Sequence, residues 1–133
     1  MDRKREVDGG RDRPAVIVCD ADLVEVSRMR RLLSRRYRLV LSRVAMGALN
    51  DVLAGSFQAM VLALREEDQS FLHLIPLVKK LQPRLPIIVV GDGRSLDQQR
   101  SAQRQGIFYF LPRPVGTREM RTALANAVEW GSR

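Results

Sequence analysis

Cysteine and histidine occur once each in this 133-residue chain, as Cys19 and His73. A single thiol cannot close a disulfide within the chain, and one residue of each kind supplies neither a zinc cluster nor a free choice of Cys–His catalytic pair. Aromatic residues make up only 5%, too few for the stacking platforms that hold single-stranded nucleic acid, and there is no zinc-finger spacing or sustained basic heptad. Uninterrupted apolar runs of five or six residues fall far short of the roughly 20 that a membrane helix needs. The charged amino terminus has no apolar segment of the signal-peptide kind. These absences point to a soluble, cytoplasmic protein that does not enter a membrane.

What is present is enough for one core. Hydrophobic residues are 45% and charged residues 29% of a 15.1 kDa chain, the balance of a single globular domain rather than of a disordered polymer. The formal charge is +8, with 23 Lys and Arg against 15 Asp and Glu, so an acidic protein, a nucleic acid or an anionic surface would be attracted. Residues 1–13 hold five basic and four acidic side chains around one valine and Gly9-Gly10. They are expected to form a flexible charged leader, with 14–131 as the folded domain and 132–133 as a tail.

From Pro14 onward, apolar runs alternate with helical patterns. Residues 15–19 (AVIVC) read as a strand. Residues 23–37 follow as a helix, with Val26, Met29, Leu33 and Tyr37 at helical spacing, and 39–41 as a second strand. A short amphipathic helix over 45–54, closed by Gly55, leads to a buried strand over 59–64. The spacing predicts a helix over 70–81 with Leu74, Leu77, Val78 and Leu81 on one face, bent or unaffected by Pro76 and stopped by Pro83 and Pro86. A β-branched strand over 87–90, a polar helix over about 95–105 ended by Gly106, and a strand over 108–111 complete the alternation. A last helix is capped by Thr117 and carries Met120, Leu124, Ala127 and Val128 as its apolar stripe. Five short apolar strands separated by helices form a doubly wound α/β domain, a parallel sheet covered on both faces with right-handed crossovers. In such sheets the functional crevice lies at the carboxyl ends of the strands.

Those ends carry Asp20, Ala21 and Asp22; Ala63, Leu64 and Arg65; Gly91 and Asp92; and Arg113 and Pro114. From about Pro14 to Trp130 the chain resembles the receiver domain of bacterial response regulators, in element order, in spacing and in the closing pattern of strand, basic residue and proline. The resemblance implies a flavodoxin-like sheet of order 2-1-3-4-5. It places Asp20 at the first acid of the family's metal-binding pair and Ala21 at the second. Ala63 falls at the phospho-accepting Asp, Gly91 at the Thr or Ser of strand four, and Arg113 at the Lys that precedes a proline, here Pro114. Phe110 holds the position of the strand-five aromatic that rotates with phosphorylation in that family, and Arg113-Pro114 is a candidate cis peptide.

An aspartyl phosphate forms when a carboxylate attacks phosphorus while magnesium and a lysine neutralise the moving charge. A methyl group at residue 63 offers no nucleophile, and Asp20 alone, even with Asp22 or Asp92, is a poor magnesium site. No cofactor and no enzymatic activity are expected, and magnesium binding should be weak or absent. A shifted register would let Glu66 end strand three as a fixed phosphate mimic, but the apolar run stops at Leu64 and Glu66, Glu67 and Asp68 read as a solvated loop. A pair between Asp20 and Arg113, direct or through water, is expected to lock the pocket.

The reading is therefore a degenerate receiver, a module for protein–protein contact in two-component signalling. Its partner, or a second copy, would dock on helix 4, strand 5 and helix 5. Arg28, Arg31 and Arg35 lie on one stripe of the first helix as a basic ridge suited to an acidic partner. Two alternatives stay open: a sensor whose crevice, opened by Ala21, Ala63 and Gly91, takes a small anion or metabolite against Arg113, and a basic nucleic-acid-binding regulator using the ridge.

Overall fold

The computed structural model describes residues 13–133; the expected leader lies almost wholly outside them. Ten elements alternate along the chain: β1 (Ala15–Cys19), α1 (Leu23–Leu33), β2 (Arg38–Ser42), α2 (Ala45–Ala54), β3 (Ala59–Ala63), α3 (Ser70–Leu81), β4 (Ile87–Asp92), α4 (Leu96–Arg104), β5 (Tyr109–Arg113) and α5 (Thr117–Gly131). The strands form one parallel sheet in the order β2-β1-β3-β4-β5, as the resemblance implies.

Side chains alternate across a strand, so each central strand feeds two cores. Val16, Val18, Val61, Ala63 and Val90 face α1 and α5, where Met29, Leu33, Met120, Leu124 and Ala127 meet them. Ile17, Cys19, Met60, Leu62 and Val89 face the other way, onto Val52 of α2, onto Phe71, Leu74, Ile75 and Val78 of α3, and onto Ala102, the one buried residue of α4. The sheet needs burial on both faces, which is why β1 and β3 read as continuous apolar runs.

Three local readings are corrected. The first helix stops at Leu33, not at residue 37. Tyr37 keeps the helical spacing because it packs into the same core as Leu33, while Arg13 donates to the carbonyls of Ser34 (2.7 Å) and Arg35 (3.3 Å) at the helix end. In α3 the buried stripe is Phe71, Leu74, Ile75 and Val78, and Leu77 and Leu81 are exposed. The α5 cap is Gly116, not Thr117: the Gly116 N–H donates to the Glu119 carboxylate at 3.4 Å, and Thr117 is already the first helical residue. Ser132 closes the other end of that helix by donating its N–H to the Val128 carbonyl at 3.0 Å.

Candidate functional site

The parallel register brings the ends of β1, β3, β4 and β5 to one edge, where they surround a cleft of about 1030 Å³. Ala63 pairs with Val90 across β3 and β4, which fixes it as the last residue of its strand, almost fully buried with only its methyl group at the cleft floor. Glu66 lies three residues beyond, exposed on the loop whose residues Arg65 and Asp68 form an isolated bridge. The register that would make Glu66 the end of β3 is not the one adopted.

Asp20 follows β1 directly. Its N–H donates to the Ser42 carbonyl at 3.0 Å, and this tie to β2 aims its side chain into the cleft. The carboxylate is enclosed by donors. Oδ1 accepts the Asp22 N–H (3.0 Å) and Arg65 Nε (3.2 Å) and Nη2 (3.0 Å), and Oδ2 accepts Arg65 Nη2 at 2.8 Å. The side chains of the pair are 8% and 19% exposed, so this charged fork sits largely out of water, where its hydrogen bonds are strong. Burial alone would lower the Arg65 pKa, but the hydrogen bonds and charge of Asp20 outweigh it and raise the value above the ordinary range.

Arg65 therefore takes the role expected of Arg113. The Arg113 guanidinium donates instead to the Leu64 carbonyl, and no direct hydrogen bond or ion pair joins it to Asp20. Arg65 enters from the loop that follows β3, and Arg113 spends its guanidinium on the Leu64 carbonyl. Burial, then the neighbouring Arg65 charge, lowers the Arg113 pKa against the pull of Asp20 and Asp92. The Arg113-Pro114 peptide is cis, as anticipated.

The remaining positions are filled from the protein's own stock. Asp22 caps α1 through Oδ1, accepting from the N–H groups of Val24 (2.9 Å) and Glu25 (3.4 Å), and keeps Oδ2 on the cleft. Ala21 contributes only a methyl group, and its carbonyl faces the guanidinium of Arg43. At Gly91 a Cβ would stand 2.6 Å from Cζ of Phe110 and 2.5 Å from Oε1 of Gln98. The Phe110 ring thus fills the space that a side chain at residue 91 would need, packed against the core that β3 and β4 share. Gln98 of α4 accepts the Asp92 N–H at 2.8 Å, while Asp92 accepts the Arg94 N–H at 2.9 Å in a local turn.

The basic ridge divides. Arg28 folds toward the cleft, where it pairs with Glu25 (3.2 Å) and donates to the Val115 carbonyl (3.1 Å). Arg31 remains exposed on α1 and Arg35 lies beyond its end, so the three do not form one helical stripe. Sequence reading missed Arg65 and Gln98. The signal available for Arg65 was a lone cation entering an acidic loop two residues past Ala63; for Gln98 there was none, because its role depends on the space left by Gly91.

A receiver fold implies a divalent cation at this edge, and these residues do not fit one. The Asp20 carboxylate is already held by a guanidinium, and no group of three or more His, Cys, Asp or Glu among the described residues could hold a metal ion. No described helix is long and apolar enough to cross a membrane.

No family model matches the chain. Over 99 residues, 74% of the chain, it is 26% identical to the transcriptional regulatory protein GlrR of Escherichia coli (strain K12), and the match spans 22% of that relative's length. A receiver domain protein (CheY-like) from Methanospirillum hungatei JF-1 superimposes with a TM-score of 0.83 at 16% identity, covering 90% of this chain and 97% of that one. The signal receiver domain of an HD domain-containing protein from Pseudomonas fluorescens Pf-5 gives 0.80 at 25% identity, covering 90% and 98%. The described chain has the fold of a response regulator receiver (CheY-like) domain.

Proposed function

We propose that this receiver domain is not phosphorylated at the usual strand-three position and works by contact, as a protein-interaction module in bacterial two-component signalling. The observation that carries the reading is the floor of the cleft: a methyl group at Ala63 where a nucleophilic oxygen is needed, beside an Asp20 that already holds Arg65. Carboxylate attack on phosphorus has no attacking atom there, and the electrostatic help that Arg113 could lend has nothing to assist. The Phe110 ring, seated over Gly91, supports a single resting arrangement of β5 and α4.

We assign the partner surface to α4, β5 and α5. A shallow apolar groove runs there between Tyr109 and Leu111 of β5 and Gly116, Thr122 and Ala123 at the start of α5, and Tyr109 is 42% exposed. Partly exposed tyrosines beside small residues suit protein contact. The anion-sensor reading loses its anchor, because Arg113 is turned to the Leu64 carbonyl and the cleft is lined by six carboxylates against four guanidiniums. The nucleic-acid reading loses Arg28 from its ridge.

The test is incubation with a small phosphodonor and magnesium, followed by intact-mass measurement and acid-gel analysis. An unchanged mass is expected. One added phosphoryl group that is labile to hydroxylamine would overturn the reading.

A further inference from the structure

We propose that the Arg65 guanidinium is the resident cation of this cleft: it stands where a divalent ion would otherwise neutralise Asp20, and it makes the cleft indifferent to divalent metals. The inference rests on the receiver reading only for the kind of ion displaced.

A carboxylate buried as Asp20 is needs a counter-charge, because an unpaired charge out of water is strongly disfavoured. Its two oxygens offer about four lone-pair sites; the Asp22 N–H and Arg65 Nε and Nη2 crowd Oδ1, and Arg65 Nη2 also engages Oδ2. A metal ion would have to break those bonds, approach a positive charge, and then find its other ligands beside the Ala21 methyl group. Magnesium is demanding in this respect, requiring near-octahedral oxygens at about 2.0–2.1 Å.

Arg65 is also held ready. Its backbone carbonyl accepts Gln69 Nε2 at 3.2 Å and its residue bridges to Asp68, so the loop presents the guanidinium without further ordering. A second contact reaches Asp22 Oδ2 at 3.9 Å, which places the fork between the two acids that flank Ala21. Without Arg65, the carboxylates lining the cleft would outnumber the remaining guanidiniums six to three, and a divalent cation is what such a surplus attracts.

The probe is manganese, read directly as loss of the free-ion signal in electron paramagnetic resonance titrations of the wild type, Arg65→Met and Arg65→Lys. The wild type and Arg65→Lys should leave the ion free into the millimolar range, and Arg65→Met should bind it at least tenfold more tightly. Equal affinity in wild type and Arg65→Met, including no binding by either, overturns the proposal. Should Arg65→Met fail to fold, Arg65→Gln enters the same titration. The wild-type melting temperature is measured in chelator and in magnesium as well: an unchanged value is expected, and a rise in magnesium overturns the proposal. These readouts follow the cation at Asp20, and the phosphodonor test follows the nucleophile at residue 63, so either can fail without the other.

Discussion

Removing one partner of the Asp20–Arg65 pair is not equivalent to removing the other. Arg65→Met leaves a buried carboxylate with only the Asp22 N–H, and stripping the counter-charge from a buried ion costs about 3 kcal/mol or more. Asp20→Asn removes the buried charge while keeping an acceptor for that N–H, and the part-exposed guanidinium can turn to Asp22. That change should cost only about 1–2 kcal/mol. Urea unfolding of both variants checks the asymmetry; equal losses would contradict it. At the same scale, Cys19 is a fully buried thiol. Burial first, then the charges of Asp51 and Asp20, push its pKa far above the thiol range, and burial raises that of Tyr37 as well. A raised folded pKa gives stability that is complete below the unfolded value, about 8.5 for a thiol, and that is lost as pH climbs above it. The urea midpoint should therefore hold at pH 8 and fall by pH 10, with a shallower fall in Cys19→Ala. The native thiol should stay unmodified by a disulfide reagent at pH 8 until the protein unfolds. The small residues at this edge were legible in the sequence, because Ala21 comes just after β1, Ala63 ends β3 and Gly91 lies at the end of the β4 apolar run. The pairing was not: Arg65 meets Asp20 across 45 positions of chain, and no periodicity records which of two arginines will do so.

Among the elements, α5 is held by more than its apolar stripe. Where it ends, a Cβ on Gly131 would fall 2.0 Å from the Gln58 carbonyl oxygen, so the helix meets the entry to β3 backbone against backbone. Gly131→Ala must push the two apart, and overpacking of this kind costs about 1–3 kcal/mol. Thermal melting of that variant beside Ala125→Gly, a change on the exposed face of the same helix, separates the close approach from ordinary helix propensity. A Gly131→Ala protein as stable as the wild type would show that the contact is not tight. Strand and helix order was readable because β1, β3 and β4 are unbroken apolar runs that only a two-sided sheet can bury. Helix ends and faces were less so. Tyr37 mimics a helical position while lying past the helix, and Leu77 and Leu81 share a spacing with Leu74 yet face solvent, because α3 meets the sheet through Phe71 and Ile75 instead. The polar α4 has Ala102 as its one buried residue; Gln98, which caps the end of β4, ties it to the cleft.

For the whole molecule, these contacts describe a receiver fold whose edge is closed by its own side chains. Arg65 neutralises Asp20, Phe110 covers Gly91, Gln98 holds the Asp92 N–H and Arg113 holds the Leu64 carbonyl. On the proposed reading, a partner selects this arrangement only through its affinity for the surface, since an equilibrium moves by no more than a ligand's preference between states. The measurement that reaches this claim most directly is the amide ¹H–¹⁵N spectrum with and without beryllofluoride and magnesium, a mimic of the phosphoryl group together with its ion. The account predicts superimposable spectra, including the amides of Gly91, Phe110 and α4. Saturable shifts clustered on Asp20, Ala63, Gly91 and Arg113, spreading into α4 and β5, would contradict it.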